Sequence, residues 1–293
     1  MPPGVPAASA SRSVSTASST AGTAGPIGVA ASLRLGLAAA AAAWRAMTRE
    51  RLRGGLDGYL LYAVANPVFG VAIAALVYAR GRTDLLGYTV VAMAANGLTT
   101  AAVYYVGVLL DNERTRGTLV GLFLAPCPRA GWLCGYALVG LLDAALGAAA
   151  TLAAGALIFG VRYAPDVPAL LVSVGLFTVS LGGLGFVFSA IGLLTRRSSE
   201  LANLVWPFAL LLGGAAYPVA LLPDWLQYAA RLLPLGYGMQ AIADAALHGA
   251  SIADLSAHLL PLAGFAVVTP VIGVIAFAQL EKQARHRGEL DLY

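Results

Sequence analysis

Six long apolar runs divide this chain, at residues 56–78, 86–110, 133–161, 168–194, 201–217 and 258–280. Each falls near or above the roughly 20 residues that a helix needs to cross the hydrocarbon of a bilayer. None alternates apolar and polar positions with period two, and barrel strands are far shorter, so the runs predict helices. The pattern therefore predicts an all-α polytopic membrane protein with six transmembrane helices. Ahead of the first run, residues 32–53 mix Leu33, Leu35, Leu37 and Trp44 with Arg34, Arg45, Arg49, Arg51 and Arg53. That mixture predicts an interfacial helix whose arginines face anionic lipid heads. Its alanine run at 39–43 is too weakly hydrophobic, and too closely flanked by Arg, to span. Residues 1–30 are rich in Pro, Ser, Ala, Thr and Gly and predict a disordered tail. They lack the basic start and compact apolar stretch of a secretory signal. The membrane domain then covers residues 31–287, and 288–293 form a short C-terminal tail.

Composition agrees. The chain is 59% hydrophobic and 11% charged, against about 25% charged for soluble domains. Polar residues are too few to coat a soluble protein of this size. Cys127 and Cys134 suggest neither a disulfide framework nor a zinc site. The net charge of +4 is sorted along the chain rather than gathered into a nucleic-acid patch. Fourteen of the 18 basic residues precede run one, lie between runs two and three or four and five, or follow run six. The other four, Arg80, Arg82, Arg162 and Arg231, occupy the remaining loops. This bias places both termini in the cytoplasm, and an even number of spans agrees in putting them on one side.

Two connections are long, and long connections tend to carry function. One follows run two. Asp111 can cap a helix there and Glu113 favours its positive end. Leu119, Leu122 and Phe123 then share a face, and Pro126 and Pro128 stop the element. A short amphipathic cytoplasmic helix is the expectation, with a solvated loop as the alternative. The other connection, 218–257, holds two short apolar faces. Trp225, Tyr228, Ala229, Leu232 and Leu233 make one, behind an Asp224 cap, and Met239, Ile242, Ala243, Ala246 and Leu247 make the second, ended by Gly249. Pro234 separates them. Neither can span, so both are expected at the outer leaflet or dipping into it as re-entrant helices. They are either an outer gate or a surface cap.

The stretch NERTRGTLVGLFLAPCPRAGWLCGYAL resembles the first cytoplasmic loop of ABC-2 type transporter permeases. Glu113, Gly117, Thr118, Leu119, Leu122, Pro126, Pro128 and Arg129 match that pattern in order. The segment YPVALLPDWLQYAARLLPLGYGMQAI is similar to the family's connection between helices five and six, through Leu222, Pro223, Trp225, Leu233, Pro234, Leu235 and Tyr237. The resemblance implies that the loop around Glu113, Arg114, Gly117, Thr118, Leu119, Leu122, Pro126 and Arg129 is a coupling helix docking on a separate ATP-binding subunit. It implies two such subunits, carrying ATP and Mg, and a second permease, identical or related. It also implies a path built largely from helices two and five. Asn96, Thr100, Tyr104, Asn203 and Trp206 are then the candidate substrate contacts, with aromatic packing the competing reading. Pro223, Trp225, Pro234 and Tyr237 are the candidate outer gate.

The only lysine, Lys282, follows Glu281, so the chain has no phosphate-binding Gly-x4-Gly-Lys-Ser/Thr loop. One acid, Asp143, lies deep in a run. An ionisable group there is costly and raises a functional question. It can line the path, bind a cationic substrate, relay protons or hydrogen-bond a neighbouring helix. No second acid shares its depth, as an intramembrane aspartyl protease requires, and the three histidines lie scattered near loops. Gly182, Gly185, Ser189 and Gly192 form a small-residue stripe expected to pack helices closely. The expectation is a non-enzymatic permease subunit of a bacterial ABC exporter in the plasma membrane, without cofactor of its own. Its cargo would be a hydrophobic drug, antibiotic or lipid-like compound. The alternatives are export of polysaccharide or glycolipid precursors, or an ion- or proton-coupled carrier using Asp143. The carrier predicts inverted repeats, which are not evident.

Overall fold

The computed structural model describes residues 34, 38, 41–42, 44–45, 55–108, 111, 117, 129–195 and 197–286. Among the described residues every regular element is helical: α1 Gly55–Ala79, α2 Thr83–Thr100, a π-helical stretch Ala101–Gly107, α3 Arg129–Phe159, α4 Val167–Thr195, α5 Ser198–Leu212, a 3-10 turn Val219–Leu221, α6 Asp224–Arg231, α7 Pro234–Leu247 and α8 Ser256–His286. An apolar helix stands where each of the six runs predicted one. Four are long and apolar enough to cross a membrane: Thr83–Gly107, Tyr136–Phe159, Val167–Gly192 and Ser256–Ala276. Pro67–Ala79 within α1 and Ser198–Leu212 are shorter apolar helices. Of the expected interfacial helix, the described residues Arg34, Ala38, Ala41, Ala42, Trp44 and Arg45 are helical and exposed. The rest of 32–53 lies outside the described residues.

One long helix departs from the sequence-based expectation. The fifth helix stops at Leu212, not Tyr217, because the chain turns at Gly213 and Gly214, the latter at φ 70°. Its 15 residues rise about 22 Å at 1.5 Å each, short of the ~30 Å hydrocarbon layer. The chain beyond it is held from α2: the Tyr88 hydroxyl donates to Gly214 O and the Thr89 hydroxyl to Ala216 O, both at 2.9 Å. The expectation for α7 left two placements open, at the outer leaflet or dipping inward. The helix enters the bundle, packing on α4, α2 and α8. Leu235, Met239, Ala241, Ile242 and Ala243 are buried in the main core. Gly238 lets the ring of the fully buried Phe177 rest on its backbone, where a Cβ would lie 2.1 Å from the ring. The last carbonyls of α7, which a helix leaves unpaired, accept the N–H groups of Ala164 and Asp166 at 3.0 Å. By contrast α6 stays outside, with Trp225 71% exposed. Its N-cap is Pro223, without a side-chain cap; Asp224 is the first helical residue rather than the expected cap.

The most extensive helix pair is α4 with α8. Its closest approach is at Gly183, where a Cβ would meet Pro270 N and Thr269 C at 2.3 Å. Gly182, the expected contact, has open space beside it. Gly185 and Gly192 do make close approaches, to Ala102 O and to Ser198. The stripe thus exists one residue out of its expected register where it meets α8.

Candidate translocation path

On α2, Asn96 and Thr100 lie four residues apart and so share a face. Tyr104 extends that line into the π-helical stretch, whose wider turn Gly185 of α4 accommodates: a Cβ there would sit 2.7 Å from Ala102 O. Such π segments concentrate at functional sites. The face meets α5. The Tyr104 hydroxyl donates to Asn203 Oδ1 at 2.7 Å. Trp206 Nε1 donates to Thr100 Oγ1 at 3.2 Å, and that hydroxyl donates to Asn96 O at 3.2 Å. The Trp206 ring also leans on Phe69 of α1, with centroids 5.7 Å apart and planes tilted by 56°. Five of the six candidate path residues therefore lie along one three-helix contact, and Phe69 belongs with them. Asn96 is buried, and its Oδ1 has no hydrogen-bond partner among the described residues.

Asp143 stands apart. The Tyr105 hydroxyl donates to its Oδ2. The Tyr105 ring lies over Gly140, one turn earlier on α3, where a Cβ would be 2.9 Å from the ring. Adjacent tyrosines thus reach in different directions, Tyr104 to α5 and Tyr105 to α3. Tyr105 gives the acid a partner from a neighbouring element, which the run-by-run reading of the sequence could not supply.

The four outer-gate candidates do not converge. Pro223 and Trp225 are exposed at the start of α6, Pro234 is buried at the first position of α7, and the Tyr237 ring lies 6.2 Å from Phe265 of α8. What lies between α6, α7 and α8 is an open cavity of about 220 Å³ lined by Gln227, Arg231, Tyr237, Gln240 and His258. In the turn before α8, Ser251 donates its N–H (3.0 Å) and hydroxyl (2.7 Å) to the Asp254 carboxylate. Those bonds hold Asp254 below the usual carboxylate range.

With this geometry in view, the family model described as "ABC-2 type transporter" matches residues 40–247. The chain belongs to the ABC-2 type transporter family. No curated protein matches its sequence. Membership makes it a membrane permease subunit of an ABC transporter, which associates with an ATP-binding subunit and a permease partner. Of the residues expected in the coupling helix, Gly117 and Arg129 are described; Glu113, Arg114, Thr118, Leu119, Leu122 and Pro126 lie outside the described residues. Asp111 is helical and buried. Gly117 is an exposed turn at φ 69°, a conformation that ends a helix and favours glycine. Arg129 is the first residue of α3.

Proposed function

We propose that this ABC-2 permease exports hydrophobic drug-, antibiotic- or lipid-like compounds outward across a bacterial plasma membrane, with both termini in the cytoplasm. Two permeases sit on two ATP-binding subunits. ATP binding draws those subunits together, the loop between α2 and α3 passes the motion on, and α5 separates from α2. The observation that carries this reading is the α2–α5 contact, a small set of hydrogen-bonding and aromatic side chains between helices that are otherwise apolar. Its polar groups can exchange one another for the polar groups of an amphipathic cargo at little net cost, since each protein–protein hydrogen bond is replaced rather than lost. The exposed apolar side chains of α5, including Leu204, Phe208 and Leu211, support a permease partner on that face. The basic-residue bias supports the orientation. The Tyr105 hydrogen bond to Asp143 supports a helix-contact role for the acid over a proton-carrying one.

The experiment is reconstitution of the permease with its ATP-binding subunit in inside-out vesicles, following a lipophilic fluorescent dye. The expected result is ATP-dependent uptake into the lumen that vanishes without the ATP-binding subunit. Uphill uptake driven by a proton or sodium gradient, with the permease alone, would overturn the reading.

A further inference from the structure

The open cavity of about 220 Å³ between α6, α7 and α8 gathers polar side chains from three elements. Arg231 ends α6, Tyr237 and Gln240 share a face of α7, and His258 lies in the first turn of α8. None of these four makes a side-chain hydrogen bond or an ion pair among the described residues. No acid lines the cavity. The acids nearest along the chain are engaged elsewhere or distant. Asp254 accepts from Ser251, and Asp244 lies 3.3 Å from His248. Asp224 is two turns back along α6, about 10 Å away at 1.5 Å per residue. Arg82, on another loop, differs in carrying its own acid, Asp84, at 3.0 Å. The Arg231 guanidinium sits over the Tyr228 ring, 5.5 Å from its centroid. That contact uses the flat face of the cation and leaves its N–H edge free for an oxyanion. The rest of the wall is apolar, with Val219, Ala220, Ala230 and Gly236. Gln227 braces it, its Nε2 donating to Ala220 O at 3.3 Å and Leu222 O at 2.8 Å.

We propose that this cavity holds the phosphate of an anionic phospholipid from the outer leaflet, with the glycerol carbons on the apolar wall. A lone surface arginine attracts an anion only weakly. Here donors from three elements converge with no competing carboxylate. Phosphate oxygens accept hydrogen bonds, and charge-assisted ones are the strong kind. Free phosphate would leave the apolar wall wet, whereas a phospholipid covers it. The depth agrees: Trp225, Tyr228 and Leu232 are exposed on α6, and Trp and Tyr gather at the headgroup level of a membrane. The volume is above the roughly 150 Å³ that takes a benzene-sized molecule, so a phosphate and its neighbouring carbons have room. The site lies away from the α2–α5 contact. It rests on the orientation proposed above but on neither ATP nor the cargo, and its failure would leave the transport reading standing.

The test uses the full-length chain in mild detergent, with dioleoylphosphatidylglycerol and dioleoylglycerol as probes and retained lipid counted by native mass spectrometry. One phosphatidylglycerol per chain should be held, about tenfold tighter than dioleoylglycerol, the scale of one charge-assisted hydrogen bond. Arg231→Gln changes an exposed side chain and should remove about that tenfold. Arg162→Gln, the same loss of charge on a loop away from this cavity, should remove none of it. Ala220→Trp, at the exposed lip, should block the cavity and release the lipid. Equal retention of the two probes would overturn the proposal, as would lipid that survives Ala220→Trp. Equal losses in Arg162→Gln and Arg231→Gln would overturn it too, since surface charge in general would then be the cause. Displacement of the lipid by millimolar inorganic phosphate would make a soluble phosphate the occupant and sink the lipid assignment. Retention is read without ATP or cargo, so its outcome is separable from that of the transport assay.

Discussion

α8 meets α4 backbone to backbone, whereas α5 meets α2 through side-chain tips around a cavity. The first contact is built from Gly183 and Gly273, each allowing an approach that any side chain would block. The Thr269 hydroxyl donates to Ser180 O at 2.7 Å and the Ser180 hydroxyl to Leu262 O at 3.3 Å. Lipid tails are as apolar as leucine, so close van der Waals packing between small residues is what holds helices together in a bilayer. The second contact has little such packing. It relies on Tyr104–Asn203 and Trp206–Thr100, with about 150 Å³ of empty space beside them. One seam costs many contacts to open and the other a few hydrogen bonds that a ligand can replace. On the proposed mechanism, this difference makes α4–α8 the scaffold and α5 the moving part.

The strongest way to break this comparison is at the scaffold. Gly183→Leu drives a side chain into the α8 backbone and should abolish folded protein, read by gel filtration of detergent extracts, whereas Gly182→Leu, facing open space, should fold normally. Similar profiles for the two would remove the basis for calling α4–α8 rigid. A smaller effect comes at the other seam. A double-mutant cycle of Thr100→Val with Trp206→Phe, measured by steric trapping in bilayers, should give a coupling of about 0.6 kcal/mol and no more than about 1.7 kcal/mol. A larger value would make α5 too firmly held to part. Asp143→Asn keeps an acceptor for Tyr105, so export should change little between neutral and mildly acidic pH, and a pH-dependent loss would return the acid to the path. The smallest effect is at Ser251. The Asp254 pKa is lowered in the folded chain. Its contribution is therefore fully present above the ordinary carboxylate pKa of about 4 and disappears as pH falls through the lower folded value. Ser251→Ala removes the hydroxyl bond and leaves the backbone one, so the pH dependence of protection in the turn before α8, read by hydrogen exchange corrected for intrinsic rates, should shrink across that window.

Much of the scaffold was legible because apolar length is a direct physical requirement of a bilayer. The six runs locate α1 to α5 and α8 to within a few residues at most ends. The end of α5 was legible too, in Gly213–Gly214, but uninterrupted hydrophobicity through Tyr217 outweighed it. The burial of α7 was signalled by Gly236, Gly238, Ala241, Ala243, Ala245 and Ala246, small residues on every side, which suit a helix surrounded by others rather than one at a surface. Ala101–Gly107 offers no such signal: its composition fits an α-helix equally, and the π turn is set by what it packs against. In the candidate path, the residue types of Asn96, Thr100, Tyr104, Asn203 and Trp206 stood out in apolar runs, but their pairing depends on helix rotation. A one-residue rotation is enough to exchange Gly182 for Gly183, and sequence periodicity does not resolve it. Tyr105–Asp143 arises where two elements meet, and the space beside the α2–α5 contact where three do, so no single run encodes them.

The central claim, that α5 must part from α2 while α8 stays on α4, is most directly tested by cross-linking. In a background carrying Cys127→Ala and Cys134→Ala, a reducible bis-methanethiosulfonate linker long enough to span the lost side chains joins Tyr104→Cys to Asn203→Cys across the first pair of helices, and Ser180→Cys to Leu262→Cys across the second. With the ATP-binding subunit present, linking the first pair should stop transport and cargo-stimulated ATP hydrolysis, and reductant should restore both; linking the second should leave both at their starting rates. Full transport with α2 and α5 cross-linked would contradict the account.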